Sequence, residues 1–91
     1  MKLSILIPTL PERRESFVSL RDFIIRTCPE DLLHAVEILS DDRDRKTKTG
    51  TKRNDLLKRA KGTYVWFIDD DDMIEEHAMA EVLKGIESGA D

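Results

Sequence analysis

The stretch Tyr64–Ile74 reads YVWFIDDDDMI: an apolar run enters four consecutive carboxylates, Asp69 to Asp72, and leaves into apolar residues again. Ionised carboxylates packed this closely repel one another and offer a hydrophobic core nothing, so the run demands a positive partner. Their oxygens are hard ligands suited to Mg²⁺ or Mn²⁺, ions that commonly bridge one or two acids to substrate phosphates. Helix capping is the alternative use: Asp71 or Asp72 at the start of a following helix, with Glu75 and Glu76 favouring its positive end. A cap needs one acid. Four in a row exceed it, and the balance favours a metal or ligand site.

A basic counterpart lies upstream in TGTKRN, Thr49 to Asn54. Lys52 and Arg53 fall where a helix should begin, and cations there oppose the helix macrodipole. Together with the free backbone N–H groups of a first turn they make a site for an anion such as a diphosphate. The spacing is not that of a Walker A loop, and a solvated basic face has the same composition. Asp41 and Asp42 end the run VEILSDD, a position from which acids of nucleotide-binding folds accept hydrogen bonds from ribose or base; a turn with Arg43 and Asp44 would use the same residues. Thr9-x-x-Glu12 fits a capping box, while the place of Thr9 at the end of an apolar run leaves a phosphate or base contact open. His34 and His77 lack metal-ligand spacing and read as surface residues, and Trp66 reads as core.

Three repeats of strand followed by helix must position these groups. Leu3 to Ile7, stopped by Pro8, precedes a helical stripe of Phe17, Leu20 and Ile24. Val36 to Leu39 leads through a charged loop, Asp41 to Lys52, into a helix lined by Leu56, Leu57 and Ala60 and closed by Gly62. Thr63 to Ile68 is followed by Met79, Val82, Leu83 and Ile86 at helical spacing, ending at Gly89. The βαβαβα order predicts an α/β fold with a three-layer, Rossmann-like parallel sheet, right-handed crossovers and the third strand beside the first. The charged loop and the tetra-aspartate then share the carboxyl edge of the sheet, where ligands of open α/β sheets bind.

Ninety-one residues, 40% apolar and 37% charged, are read as one domain, 1–91, with one core. A net charge of −4 implies no nucleic-acid partner. No segment approaches a membrane span, the apolar run after Lys2 is too short for a signal peptide, and the single Cys28 allows no internal disulfide. These features predict a cytoplasmic protein. A sheet of only three strands exposes an apolar edge and face, which predicts self-association through that edge.

The segments ILIPTLPER, VEILSDD and GTKRNDLLKRAKGTYVWFIDDDDMI, in this order, resemble the N-terminal half of a family 2 glycosyltransferase with a GT-A fold. The family's run is an apolar strand ending in I-P-T, a second strand ending in acids, an R-N helix closing in A-x-G-x-Y, and a strand ending in a D-x-D motif; AKGTYVWFIDDDD is the most specific part of the match. The resemblance implies a truncated GT-A domain that binds a nucleotide-diphosphate sugar and a divalent metal, Mn or Mg. It assigns Thr9 and Asp41 or Asp42 to the nucleobase and Arg53, beside Lys52, to the nucleotide. It assigns Asp70 to the ribose and Asp69 and Asp71 to the metal. Two features depart from the family: Arg43-Asp44 replaces the usual glycine-serine, and the charged loop replaces an edge strand before the R-N helix. The family's domain is usually more than twice as long, so the acceptor site and catalytic base are expected beyond residue 91, and the isolated chain is expected to be inactive. Competing readings are an aspartate-dependent phosphatase, which would want threonine or valine where Met73 stands, and a non-catalytic nucleotide- or metal-binding α/β module.

Overall fold

The computed structural model describes residues 1–89 of the chain; Ala90 and Asp91, which end the ESGAD stretch, lie outside them. Strands β1 (Leu3–Pro8), β2 (Val36–Asp41) and β3 (Tyr64–Phe67) alternate with helices α1 (Arg14–Thr27), α2 (Thr49–Arg59) and α3 (Ala78–Glu87). The strands form one parallel sheet in the order β2-β1-β3, with Leu3 opposite both Val36 and Tyr64. The predicted α/β class and the pairing of the third strand with the first are therefore present.

Alternation along β1 divides the layers. Leu3, Ile5 and Ile7 are buried in one cluster with Phe17, Leu20 and Ile24 of α1 and Met79 and Leu83 of α3. On the other face Leu6 is fully buried, as is Leu56 of α2, which packs on β1 and β2. The spacing of the apolar residues dictates this, since side chains two apart on a strand share a face. Burying an aliphatic side chain of this size is worth roughly 1.5–3 kcal/mol, so the central strand carries much of the core's stability. Leu57, predicted to line α2's inner face, is 49% exposed, because its neighbour Leu56 occupies the buried position. Proline ends the central strand without penalty. The β1 residues that bond β3 are even-numbered, Lys2 and Leu6 accepting from Tyr64 and Ile68. Pro8 lies on that side one step past the end of β3's ladder, so its missing N–H leaves no ladder bond unmade.

Two glycines act differently. Gly89, at φ +81, follows the C-cap of α3 in the left-handed conformation and ends that helix as predicted. Gly62 does not close α2, which ends at Arg59. A Cβ at Gly62 would lie 2.5 Å from the Ser4 backbone nitrogen and 2.7 Å from the Leu3 carbonyl carbon, so the turn into β3 needs glycine to approach β1. There Gly62 N–H donates to Ser4 Oγ at 2.7 Å, the Ser4 hydroxyl donates to Glu37, and the Glu37 carboxylate also accepts from Lys61 N–H at 2.6 Å. These bonds hold the Glu37 carboxyl below its ordinary range, the Ser4 hydroxyl contributing most. They also fix where β3 starts, and with it where the tetra-aspartate emerges. Beside this sheet β3 keeps an open edge, with Val65 and Phe67 exposed at 38% and 37%. No helix among the described residues is long and apolar enough to cross a membrane.

Candidate functional site

All three strands end at one edge, where Pro8 pairs with Asp41 and β3 closes at Phe67 beside Leu6, so that Thr9 and the segments after Asp41 and Ile68 emerge together. A cleft of about 450 Å³ opens at that edge, bounded by Thr9, by Lys48, Thr49 and Lys52 at the start of α2, and by Asp69 to Asp71. Thr9 ties its walls together. Its N–H donates to the Asp41 carbonyl at 2.9 Å and its Oγ1 to Asp70 Oδ2 at 2.8 Å, and its carbonyl accepts from Lys52 Nζ at 2.6 Å. The capping alternative for Thr9 is thereby excluded: α1 is preceded by a turn of 3-10 helix, and its N-cap, Arg13, makes no side-chain cap bond.

Lys52 is only 3% exposed although it is a lysine in the second turn of a helix. A buried ammonium is costly without partners. One of its three N–H donors serves Thr9, and its charge also lowers the pKa of Asp41. Arg53 takes the other side of the helix, its guanidinium 5.4 Å from the Phe67 ring centroid and 3.7 Å from Asp69 Oδ1. The helix begins at Thr49, so these cations lie just inside its N-terminus, while the first-turn N–H groups of Thr49, Gly50 and Thr51 have no partner within the helix.

Within the tetra-aspartate the four acids diverge. Asp70 is buried, accepting from Thr9 and, at 3.1 Å, from Arg13 Nη1. Asp69, Asp71 and Asp72 are exposed, and each can offer an oxygen so that all lie within 4.8 Å of one another. Asp72 and Asp71 cap no helix. Asp72 instead accepts from the Asp69 N–H at 3.0 Å in a local turn, and α3 starts only at Ala78, with His77 as its N-cap. Three hard oxygen donors at this spacing fit Mg²⁺ or Mn²⁺. Two guanidiniums now balance the trio, Arg53 beside Asp69 and Arg13 at 3.8 Å from Asp71 Oδ2.

The acids after β2 also part. Asp41 is buried and gripped by Arg43, whose Nε donates to both carboxylate oxygens at 2.9 and 3.1 Å and whose backbone N–H adds a bond at 3.1 Å. Arg43 Nη2 reaches Asp41 as well and binds Asp55 of α2 at 2.6 Å. Hydrogen bonds from the Arg43 side chain, against the opposing effect of burial, hold the Asp41 carboxyl below its ordinary range, and the two acids push the Arg43 pKa up. Asp42 is exposed and lines a smaller side cleft of about 140 Å³ with Thr9, Leu10, Arg14, Phe17 and Ser40.

The structure thus brings Thr9, Lys52, Asp69, Asp70 and Asp71 to one cleft, with Arg53 at its flank, and leaves Asp41 in a clamp and Asp42 in a neighbouring recess. Sequence reasoning missed Arg13, Arg45 and Thr47, which also line the main cleft. Arg13 had a signal: it follows the first strand's end within the PER turn, on the ligand edge. A model of the family described as Glycosyl transferase family 2 matches residues 31–91, which includes every acid and base of the site except those contributed by the segment after β1. The searches of curated proteins and of solved structures found no match.

Proposed function

The chain belongs to glycosyl transferase family 2, and on that premise we propose that its carboxyl-edge cleft binds a nucleoside-diphosphate sugar, the donor of a glycosyl transfer, together with Mg²⁺ or Mn²⁺. The observation that supports this most is the convergence of Asp69, Asp71 and Asp72 oxygens within 4.8 Å beside a cleft whose opposite wall is the N-terminus of α2 with Lys52. Acids alone would repel a diphosphate, and cations alone would need no acids.

In this reading Asp69 and Asp71, with Asp72, hold the ion, which when bound supplies neutralisation of the charge that develops on the leaving diphosphate. Lys52 and the unpartnered N–H groups of α2's first turn take phosphate oxygens directly. Arg53, stacked on Phe67, adds charge at the flank. Asp70 has one hydrogen bond on each oxygen and so retains acceptor capacity for a ribose hydroxyl, while its bonds to Thr9 and Arg13 keep it oriented. Calorimetric titration of a nucleoside diphosphate into the protein tests the scheme. Affinity should rise at least about tenfold when Mn²⁺ is present, and Arg53→Ala should weaken binding with or without the ion. Equal affinity in the presence and absence of Mn²⁺ would contradict the reading. The open edge of β3 adds a second expectation, self-association along that edge, and sedimentation showing a stable monomer at high micromolar concentration would count against it.

A further inference from the structure

The loop between β2 and α2 presents cations to the main cleft that the donor reading leaves without a role. Arg45, Thr47 and Lys48 line the cleft beside Thr49 and Lys52. The other cations of the site already have partners: Arg13 bonds Asp70, Arg53 lies 3.7 Å from Asp69, and Lys52 is buried against the Thr9 carbonyl. Among the described residues Lys48 makes no ion pair or side-chain hydrogen bond, and Arg45, 73% exposed, has only Glu12 at 3.9 Å, a pair worth little in water.

A solvated basic loop would have the same composition, but two features set this one apart. Lys48 is the N-cap of α2 and makes no side-chain cap bond there. That position favours aspartate, asparagine or a hydroxyl, and a cation opposes the dipole of the helix it begins, so stability argues against lysine where it stands. The loop's backbone is also held on both sides of Arg45. Before it, Arg43 grips Asp41 and Asp55; after it, the Asp44 carboxylate accepts from Lys46 N–H at 2.9 Å and the Asp44 carbonyl from Thr47 N–H at 3.0 Å. An anchored backbone reduces the entropy lost when the Arg45 and Lys48 side chains close on an anion.

Resting on the donor reading, we propose that Arg45 and Lys48, with the hydroxyl of the intervening Thr47, bind a second anionic group that shares the cleft with the diphosphate, a carboxylate or phosphate carried by the transferred sugar or by the acceptor. The guanidinium and the ammonium supply charge-assisted donors, and Thr47 adds a hydroxyl that has no side-chain partner among the described residues. A neutral sugar and a neutral acceptor would leave both cations unanswered. The loop stands where the family has an edge strand, so the site distinguishes this chain's substrates and does not repeat a subsite common to the family.

Calorimetric titrations with Mn²⁺, in the wild type and in the double variant Arg45→Gln/Lys48→Gln, test this; both residues are exposed, so the fold tolerates the change. One comparison sets UDP-glucuronate against UDP-glucose and GDP-mannuronate against GDP-mannose, pairs that exchange a hydroxymethyl group for a carboxylate. The other sets glycerol 3-phosphate against glycerol, with the tightest-binding of UDP, GDP, ADP and CDP at saturation. A uronate bound at least about tenfold tighter than its neutral counterpart places the anion on the donor; the same preference for glycerol 3-phosphate alone places it on the acceptor. In either case the double variant should reduce the preference to about twofold or less. No preference in either comparison, or one undiminished in the double variant, would overturn the proposal and leave the donor reading standing. Absence of Mn²⁺-dependent binding by UDP, GDP, ADP and CDP alike would overturn both.

Discussion

The acidic runs that leave β2 and β3 look alike in sequence and are anchored in opposite ways. After β2, Asp41 is buried and bonded to a cation two residues along the same loop, with α2 joined through Asp55. After β3, Asp70 is buried and bonded to Thr9 and Arg13, 61 and 57 positions earlier in the chain. The first anchor is local and makes a stiff loop; the second is long-range and ties β3's end to β1's. In both runs one acid is buried and anchored by hydrogen bonds, Asp41 and Asp70, while the acid that follows it, Asp42 and Asp71, is exposed. A strand end that presents several acids thus needs one of them fixed by a partner before the others can be aimed, because repulsion would otherwise spread them.

The comparison breaks most sharply by truncating each anchor. Asp70→Ala should cost about 2–3 kcal/mol in urea unfolding, since it strands the buried Thr9 hydroxyl and removes a charge-assisted bond across the sheet edge. Asp41→Ala should cost less, about 1 kcal/mol, because its partner Arg43 is half-exposed, can be solvated, and keeps Asp55. Equal losses would mean that the long-range anchor is no stronger than the local one.

A smaller effect of the Asp41 clamp is read by pH. The folded-state pKa values of Asp41 and Glu37 lie below their ordinary values of 3.8 and 4.5. Groups depressed in this way contribute stability that is fully present above the ordinary value and is lost as the pH falls through the lower folded value. Unfolding midpoints measured between about pH 2 and pH 6 should be level at the upper end and fall below the ordinary carboxylate range. Asp41→Asn should make that acid limb shallower. An unchanged limb would show that the Arg43 clamp does not hold Asp41 ionised.

Much of this was legible in the sequence. The three strand-helix repeats follow from apolar spacing, and the placement of Asp41 and Asp69 at one edge follows from parallel topology. Thr9, Lys52, Asp69, Asp70 and Asp71 could therefore be gathered before any coordinates. What could not be read is which acid each run gives up. The bond between Thr9 and Asp70 depends on the register of β1 against β3, and that register is set by the close approach of Gly62 to Ser4, which has no local signature beyond a glycine that looks like a helix stop. The capping alternative for Asp72 fails for a related reason. Asp72 has the chemistry of a cap, but the acids fold into their own turn and delay the helix to Ala78. The grip of Arg43 on Asp41 was closer to legible, as a cation two residues after an acid.

The central claim is that Asp69, Asp71 and Asp72 hold a divalent ion against a diphosphate. It is tested most directly by measuring nucleoside diphosphate affinity as a function of Mn²⁺ in the wild type, Asp71→Asn and Asp72→Asn. The account predicts that Asp71→Asn, which removes a charge from the trio while leaving Asp70 its hydrogen bonds from Thr9 and Arg13, abolishes most of the gain conferred by Mn²⁺ and leaves ion-free affinity equal or slightly higher. Asp72→Asn should lose less of that gain, because asparagine retains an oxygen that can accept the Asp69 N–H. A gain from Mn²⁺ that survives unchanged in Asp71→Asn, or no gain in the wild type, would contradict it.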